Sequence, residues 1–269
     1  MDPFVSRHDL VRPGTAARHR SDATTPNGQR RLIDVLARRV VGQDDAIRHV
    51  AGGIARRPIA SFLFVGAPGV GKTELARAIA AAVFDSENDI IRLDMSQYRD
   101  PHRLTSALRR RPNGVLLCEG VDRAHQAVFP TLTELVDTGT IADSDGCVID
   151  VHDAVLIMTA RRLPRAGTTE VVRFRPLRPT HIERIIDLRL ARLCERLARY
   201  RVTVAITPAA RWLITARSYD PARGAWPLVK YLERDVGVWV GRALISGDMP
   251  CELVIDVRDG ELLFSYRKS

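Results

Sequence analysis

The chain has 269 residues, 45% of them apolar, enough for one large domain or a large domain with a small one. No apolar run approaches the ~20 residues of a membrane span, and the opening "MDPFVSRHDLVRPGTAARHR" lacks the apolar core of a signal peptide. These features predict a cytoplasmic protein with no membrane partner.

The net charge of +9 fits either a solvated arginine-rich surface or an acidic partner such as nucleic acid. The only lysines are Lys72, Lys230 and Lys268, and the arginines are spread over predicted helices, which favours the first reading. The cysteines Cys118, Cys147, Cys194 and Cys251 form no C-x-x-C pair, which argues against a zinc site and a disulfide framework.

Residues 1–29 mix Arg, Asp, Pro, Gly and Thr without periodicity, so they are expected to be a disordered segment or tail. Order is expected from "RRLIDVLARRV", where Leu32, Ile33, Val35, Leu36 and Val40 fit one helical face. A second helix begins after "VGQ", near Asp44 or Asp45, and stops before Pro58. "ASFLFV" is a strand ending at Gly66, "KTELARAIAAAVF" a helix, "DIIRLDM" a strand and "PHRLTSALRRR" a helix. Val115, Leu116 and Leu117 then form a buried strand that delivers Cys118 and Glu119 to its C-terminal tip.

A helix from about Val128 to Val136, a turn or hairpin around "DSDG" and the strand "DAVLIMTA" complete a β-α-β pattern. Residues 30–175 are thus expected to be an α/β domain with a parallel sheet flanked by helices. Near "FRPLRPTH" the pattern changes. A long amphipathic helix from Thr180 to about Tyr200, the strand "RVTVAIT", helices from Pro208 and from about Trp226 to Leu244, and the strands "CELVIDV" and "ELLFSY" predict a small α+β domain over residues 176–269.

The strongest functional signal is "GAPGVGKT", which matches G-x-x-x-x-G-K-T between a predicted strand and a predicted helix. Gly66, Ala67, Pro68, Gly69, Val70 and Gly71 form a loop whose backbone N–H groups can converge on phosphate oxygens, helped by the positive end of the following helix. Lys72 can reach the β- and γ-phosphates, and the Thr73 hydroxyl can ligate Mg²⁺. ATP or ADP is therefore the expected ligand.

The chain resembles the AAA+ ATPases of the Clp unfoldase and disaggregase class, specifically their C-terminal ATPase module with its small domain. The resemblance runs from about Val40 to Phe264. It is carried by "VVGQDDAI", "SFLFVGAPGVGKTELARAIA", "IIRLDMSQY", "VLLCEGVDRAH", "VLIMTA" and "YDPARGAWPL". It implies a P-loop NTPase fold, with Val41 and Gly42 bordering an adenine pocket and the small domain closing over the nucleotide.

The departures from that family bear on hydrolysis. The family's Walker B strand ends in Asp-Glu, which the resemblance sets against Cys118-Glu119. In that register Glu119 keeps the role of the catalytic glutamate, while Cys118 offers soft sulfur where magnesium prefers oxygen and reads as a small buried hydrophobe. Asp122 is expected to begin the next helix and point elsewhere. Arg161 stands at the sensor 1 position, and Trp226 replaces the sensor 2 arginine. No aromatic-glycine pore loop follows "DMSQY", and no segment matches the arginine finger, although Arg173 or Arg175 could lie near its place.

Loss of an arginine finger alone removes about 10³–10⁵ of the rate in phosphate-loop NTPases. From about 10 s⁻¹, that leaves roughly 10⁻² to 10⁻⁴ s⁻¹. The expected protein binds ATP or ADP with Mg²⁺, hydrolyses it slowly or not at all, and acts as a nucleotide-dependent regulatory or assembly component rather than a threading unfoldase. Its expected partners are itself or another protein, including a mixed ring with a full-length Clp-type subunit. The alternative is an active ATPase subunit completed by a partner in trans. A nucleic-acid-associated role is less favoured, because no added helix-turn-helix module follows the small domain.

Overall fold

The computed structural model describes residues 25–56, 60–99, 105–106, 108–109, 114–142, 146–163, 169–198, 202–218 and 252–267. Helix α1 (Pro26–Ala37) begins inside the stretch expected to be a tail. The Thr25 hydroxyl accepts from the Gly28 N–H at 3.0 Å, and Pro26 occupies the first turn, where its missing N–H costs nothing. Leu32 and Leu36 turn its buried face inward. Helix α2 (Asp44–Arg56) carries Asp44 and Asp45 in its first turn, where the helix dipole favours negative charge.

Strand β1 (Ala60–Val65) is buried at every position and leads through the phosphate loop into α3 (Lys72–Val83). Next come β2 (Ile90–Asp94), β3 (Val115–Glu119), α4 (Phe129–Thr138) and the antiparallel pair β4 (Thr140–Ala142) and β5 (Val148–Asp150), which flanks the "DSDG" segment. Strands β6 (Val155–Ala160) and β7 (Glu170–Arg173) complete a five-stranded parallel sheet in the order β2-β3-β6-β1-β7. The helix expected in "PHRLTSALRRR" lies mostly outside the described residues; Thr105, Ser106, Leu108 and Arg109 are helical.

Alternation along the strands feeds two apolar layers, one on each face of the sheet. Phe62, Phe64, Leu117, Val155 and Ile157 pack in one layer with residues of α1, α2 and α3. Leu63, Leu116, Cys118, Leu156 and Met158 pack in the other with Leu132 and Leu135 of α4. Strand β7 was not foreseen. It is four residues long, and its pairing with β1 is long-range, from Phe62 with Glu170 to Val65 with Arg173.

The C-terminal part has its own core. Helix α5 (Pro179–Ala198), β8 (Thr203–Ile206), α6 (Pro208–Ser218), β9 (Glu252–Arg258) and β10 (Glu261–Arg267) surround Ile182, Ile186, Ile214, Leu253 and Ile255. The sheet order is β10-β9-β8, with β8 parallel and β10 antiparallel to β9. The helix expected from Trp226 to Leu244 lies outside the described residues.

Candidate functional site

The phosphate loop leaves the C-terminal end of β1, where open parallel sheets place their crevices. Its first glycine is tied to the sheet, the Gly66 N–H donating to the Ala160 carbonyl at 3.2 Å. Gly71 caps α3 with φ of 111°, a left-handed conformation open to glycine and strained for a residue with a Cβ. Lys72 and Thr73 are therefore the first residues of α3, so its free N–H groups and positive end face a cavity of about 450 Å³. Pro68, Gly69, Val70, Gly71, Lys72 and Thr73 line that cavity together with Val41 and Glu119.

The Lys72 ammonium donates to the carbonyls of Gly66 and Ala67 at 2.6 and 2.7 Å, which brings those two loop residues into the site through their backbone. Burial pulls its pKa down from 10.5 to about 8; the charge of Asp122 resists that fall, that of Arg161 adds to it, and Glu119 resists it. The charge of Asp122 is thus felt at the lysine, although Asp122 does not line the cavity. It lies in a single 3-10 turn, Val121–Arg123, and its carboxylate accepts from the Arg161 N–H at 3.4 Å.

The two residues at the tip of β3 go to opposite faces of the sheet, Cys118 as the small buried residue expected and Glu119 into the site. Cys118 is fully buried in the layer facing α4, and burial pushes its thiol up to about 12. It projects to the face of the sheet opposite α3 and takes no part in the cavity. Glu119, one residue on, faces the cavity and accepts from the Thr73 hydroxyl at 2.8 Å through Oε1. Its Oε2 accepts from the Arg92 guanidinium, also at 2.8 Å. Gly120 follows without a side chain, and its N–H donates to the Thr159 hydroxyl at 3.1 Å.

Two residues that the motif reading did not single out hold this geometry. Gln43 is buried; its amide donates to the carbonyls of Val70 and Arg175 at 3.1 and 2.9 Å and accepts from the Arg175 N–H at 2.9 Å. One side chain thereby fixes the phosphate loop to the segment entering α5. Glu74, next to Thr73, pairs with Arg192 at 2.9 Å, Arg189 at 3.2 Å and Arg39 at 3.5 Å. Burial opposes its ionisation, but Arg189, Arg192 and Arg39 outweigh burial and hold the carboxyl below its ordinary value. Arg189 and Arg192 belong to α5, so this cluster joins the first turn of α3 to the small domain.

Val40 and Val41 meet Leu177, Ile185 and Leu188 on the apolar wall of the cavity. Gly42 turns away from it and lies against α5: a Cβ there would fall 2.5 Å from Nδ1 of His181. Its φ of 72° suits glycine for the same turn. Arg161 ends the β6 side of the site near Lys72, whereas Trp226 lies outside the described residues. "VGQDDA" was legible as a helix start but not as a clamp, because the partners of Gln43 lie far along the chain, at Val70 and Arg175.

Thr73 and Glu119 supply hard oxygen atoms side by side, the donor chemistry of a magnesium site that takes its other ligands from water and phosphate. Among the described residues no helix is long and apolar enough to cross a membrane. Residues 57–103 and 97–166 match the AAA domain (Cdc48 subfamily), and residues 177–256 match the C-terminal, D2-small domain, of ClpB protein.

The chain is 35% identical over 87% of its length to the chaperone protein ClpB of Nitratidesulfovibrio vulgaris, of which it covers 34%. The corresponding protein of Bacillus anthracis is 33% identical over 87% of this chain and 34% of its own length. That of Corynebacterium diphtheriae is 34% identical over 84% and 31%. The chain spans about a third of the length of these curated relatives. With a phosphate loop on a parallel α/β sheet followed by this small domain, the chain belongs to the AAA+ proteins of the Clp class.

Proposed function

We propose that the chain binds ATP or ADP, with phosphates at the start of α3 and the base against Val40 and Val41, and that it turns ATP over slowly or not at all. The observation carrying this reading is the convergence of Lys72, Thr73 and Glu119 on one cavity. The loop N–H groups and Lys72 bind and orient phosphate oxygens, Lys72 exchanging its loop carbonyls for them. Thr73 would hold Mg²⁺ directly and Glu119 through water; the ion supplies positive charge to the β- and γ-phosphate oxygens.

In this reading Glu119 no longer has the catalytic role expected from sequence. Its bond to Thr73 supports assigning it to the metal-organising acid, the first of the family's Asp-Glu pair. The second place, that of the water-activating acid, then falls on Gly120, which has no group to accept a proton. Arg161 supplies positive charge near Lys72 and no base. Binding can thus outlast hydrolysis, and the protein acts in the cytoplasm through nucleotide-dependent conformation or association. Itself or a Clp-type ring subunit is the partner the family favours.

Calorimetric titration with ATP and with ADP tests the binding reading. Binding by the wild type that Lys72→Ala weakens by about a hundredfold or more supports it, and identical flat traces sink it. Steady-state turnover below about 10⁻² s⁻¹ is expected. Turnover above about 1 s⁻¹ that Glu119→Gln abolishes would return Glu119 to the catalytic role and favour a working ATPase subunit.

A further inference from the structure

Glu119 is used twice, and the second use is not required by a magnesium site. A Thr73 hydroxyl that donates to Oε1 still presents its lone pairs to a cation. The bond from Arg92 to Oε2, by contrast, places a guanidinium on the oxygen that would accept from the waters of a hydrated ion. Arg92 reaches this point from the middle of β2, the edge strand beside β3, in register with Leu117, and it lines the same cavity.

The surrounding charge points the same way. The cavity wall carries six basic side chains, Arg39, Lys72, Arg77, Arg92, Arg189 and Arg192, against two carboxylates, Glu74 and Glu119, an excess of four positive charges. A free nucleoside triphosphate carries more negative charge than its magnesium complex, so such a wall favours the free form. Arginine also binds phosphate through a planar fork of donors, and can therefore take over part of the metal's charge-neutralising work.

We propose that Arg92 competes with magnesium for Glu119, so that this cavity takes metal-free nucleoside triphosphate about as well as its magnesium complex. The inference rests on the nucleotide-binding reading above and adds the chemical form of the ligand. The metal position is compatible with magnesium but is held largely by the chain's own cation.

The test is calorimetric titration of the full chain with the β,γ-imido analogue of ATP, in excess magnesium and again in EDTA. A wild-type Kd that differs by less than about threefold between the two conditions supports the proposal, and a larger loss in EDTA overturns it. Arg92→Gln, at a side chain 46% exposed on an edge strand, is expected to keep the fold and to gain a magnesium dependence of about tenfold or more. An unchanged magnesium dependence in that variant overturns the competition. If the variant does not fold, the wild-type comparison decides alone. Wild-type protein that fails to bind in both conditions overturns the nucleotide reading itself, whereas tight binding that demands magnesium overturns only this inference.

Discussion

On one wall of the cavity, Lys72 and Thr73 project from the first turn of α3 behind a loop whose glycines and backbone donors suit phosphate. On the other wall, the tip of β3 offers one carboxylate, already bonded to Thr73 and Arg92, and then a glycine. In the proposed reading the first wall has the parts needed to hold a phosphate chain, while the second, with Glu119 given over to the metal position, offers no acid to activate a water. Binding free energy can come mainly from one side of such a site, because phosphate recognition uses backbone dipoles and fixed charge. Hydrolysis needs both sides at once, since a base must stand within hydrogen-bond reach of the attacking water.

The largest effect expected is at Cys118, and it tests which side of the sheet that residue serves. Cys118→Asp places an unpaired carboxylate among Leu116, Val121, Leu132 and Met158. It should cost about 3 kcal/mol or more in chemical denaturation, with no gain in magnesium-dependent binding. A variant of unchanged stability that binds magnesium nucleotide more tightly would put Cys118 back into the cavity and undo the contrast between the walls.

The next effect tests the link from the phosphate wall to the small domain. Glu74→Gln removes the charge shared by Arg39, Arg189 and Arg192, of which Arg39 keeps its pair with Glu87 at 2.7 Å. A loss of about 1–3 kcal/mol is expected near neutral pH. The native carboxyl is held below its unfolded value, so its contribution is present above about 4.5 and disappears as pH falls through the depressed native value. Denaturation from pH 7 to pH 3 should show the two proteins converging in acid. Parallel curves would mean that Glu74 is not the joint between α3 and α5.

Most of the fold was legible because it rests on local signals. Continuous apolar runs gave β1, β3 and β6, and the 3.6-residue period with a glycine-rich turn gave α3. The start of α1 was missed because composition without periodicity concealed a Thr25 cap and a proline in the first turn. Strand β7 was missed because four residues show too little pattern and owe their pairing to β1, a hundred residues away in sequence and more.

The cavity was legible in its phosphate loop, and at β3 the proposed reading shifts the roles by one residue. Motif order set Cys118-Glu119 against Asp-Glu, but the two-residue period of a strand sends neighbours to opposite faces. Leu117 packs toward α3, so Glu119, and not Cys118, had to share that side. Applied at the sequence level, that alternation would have moved the register by one residue. Arg92 and Gln43 gave no such signal, since an arginine on an edge strand and a glutamine before a helix are ordinary until their partners are known.

The smallest effect expected concerns the proton on Lys72, and it measures how strongly the two walls feel each other. With a pKa near 8 the free lysine is partly neutral at pH 8.5, and phosphate oxygens in contact with it favour the charged form. Nucleotide binding at pH 8.5 should therefore take up a fraction of a proton, and affinity should fall as pH rises above about 8. Calorimetry in buffers of different ionisation enthalpy reads the uptake directly. Asp122→Asn removes the foremost charge that raises the lysine's pKa, so uptake at pH 7.5 should increase while the loop geometry stays unchanged. If both proteins take up no proton at either pH, Lys72 is fully charged before the nucleotide arrives, and the second wall exerts no measurable pull on the first.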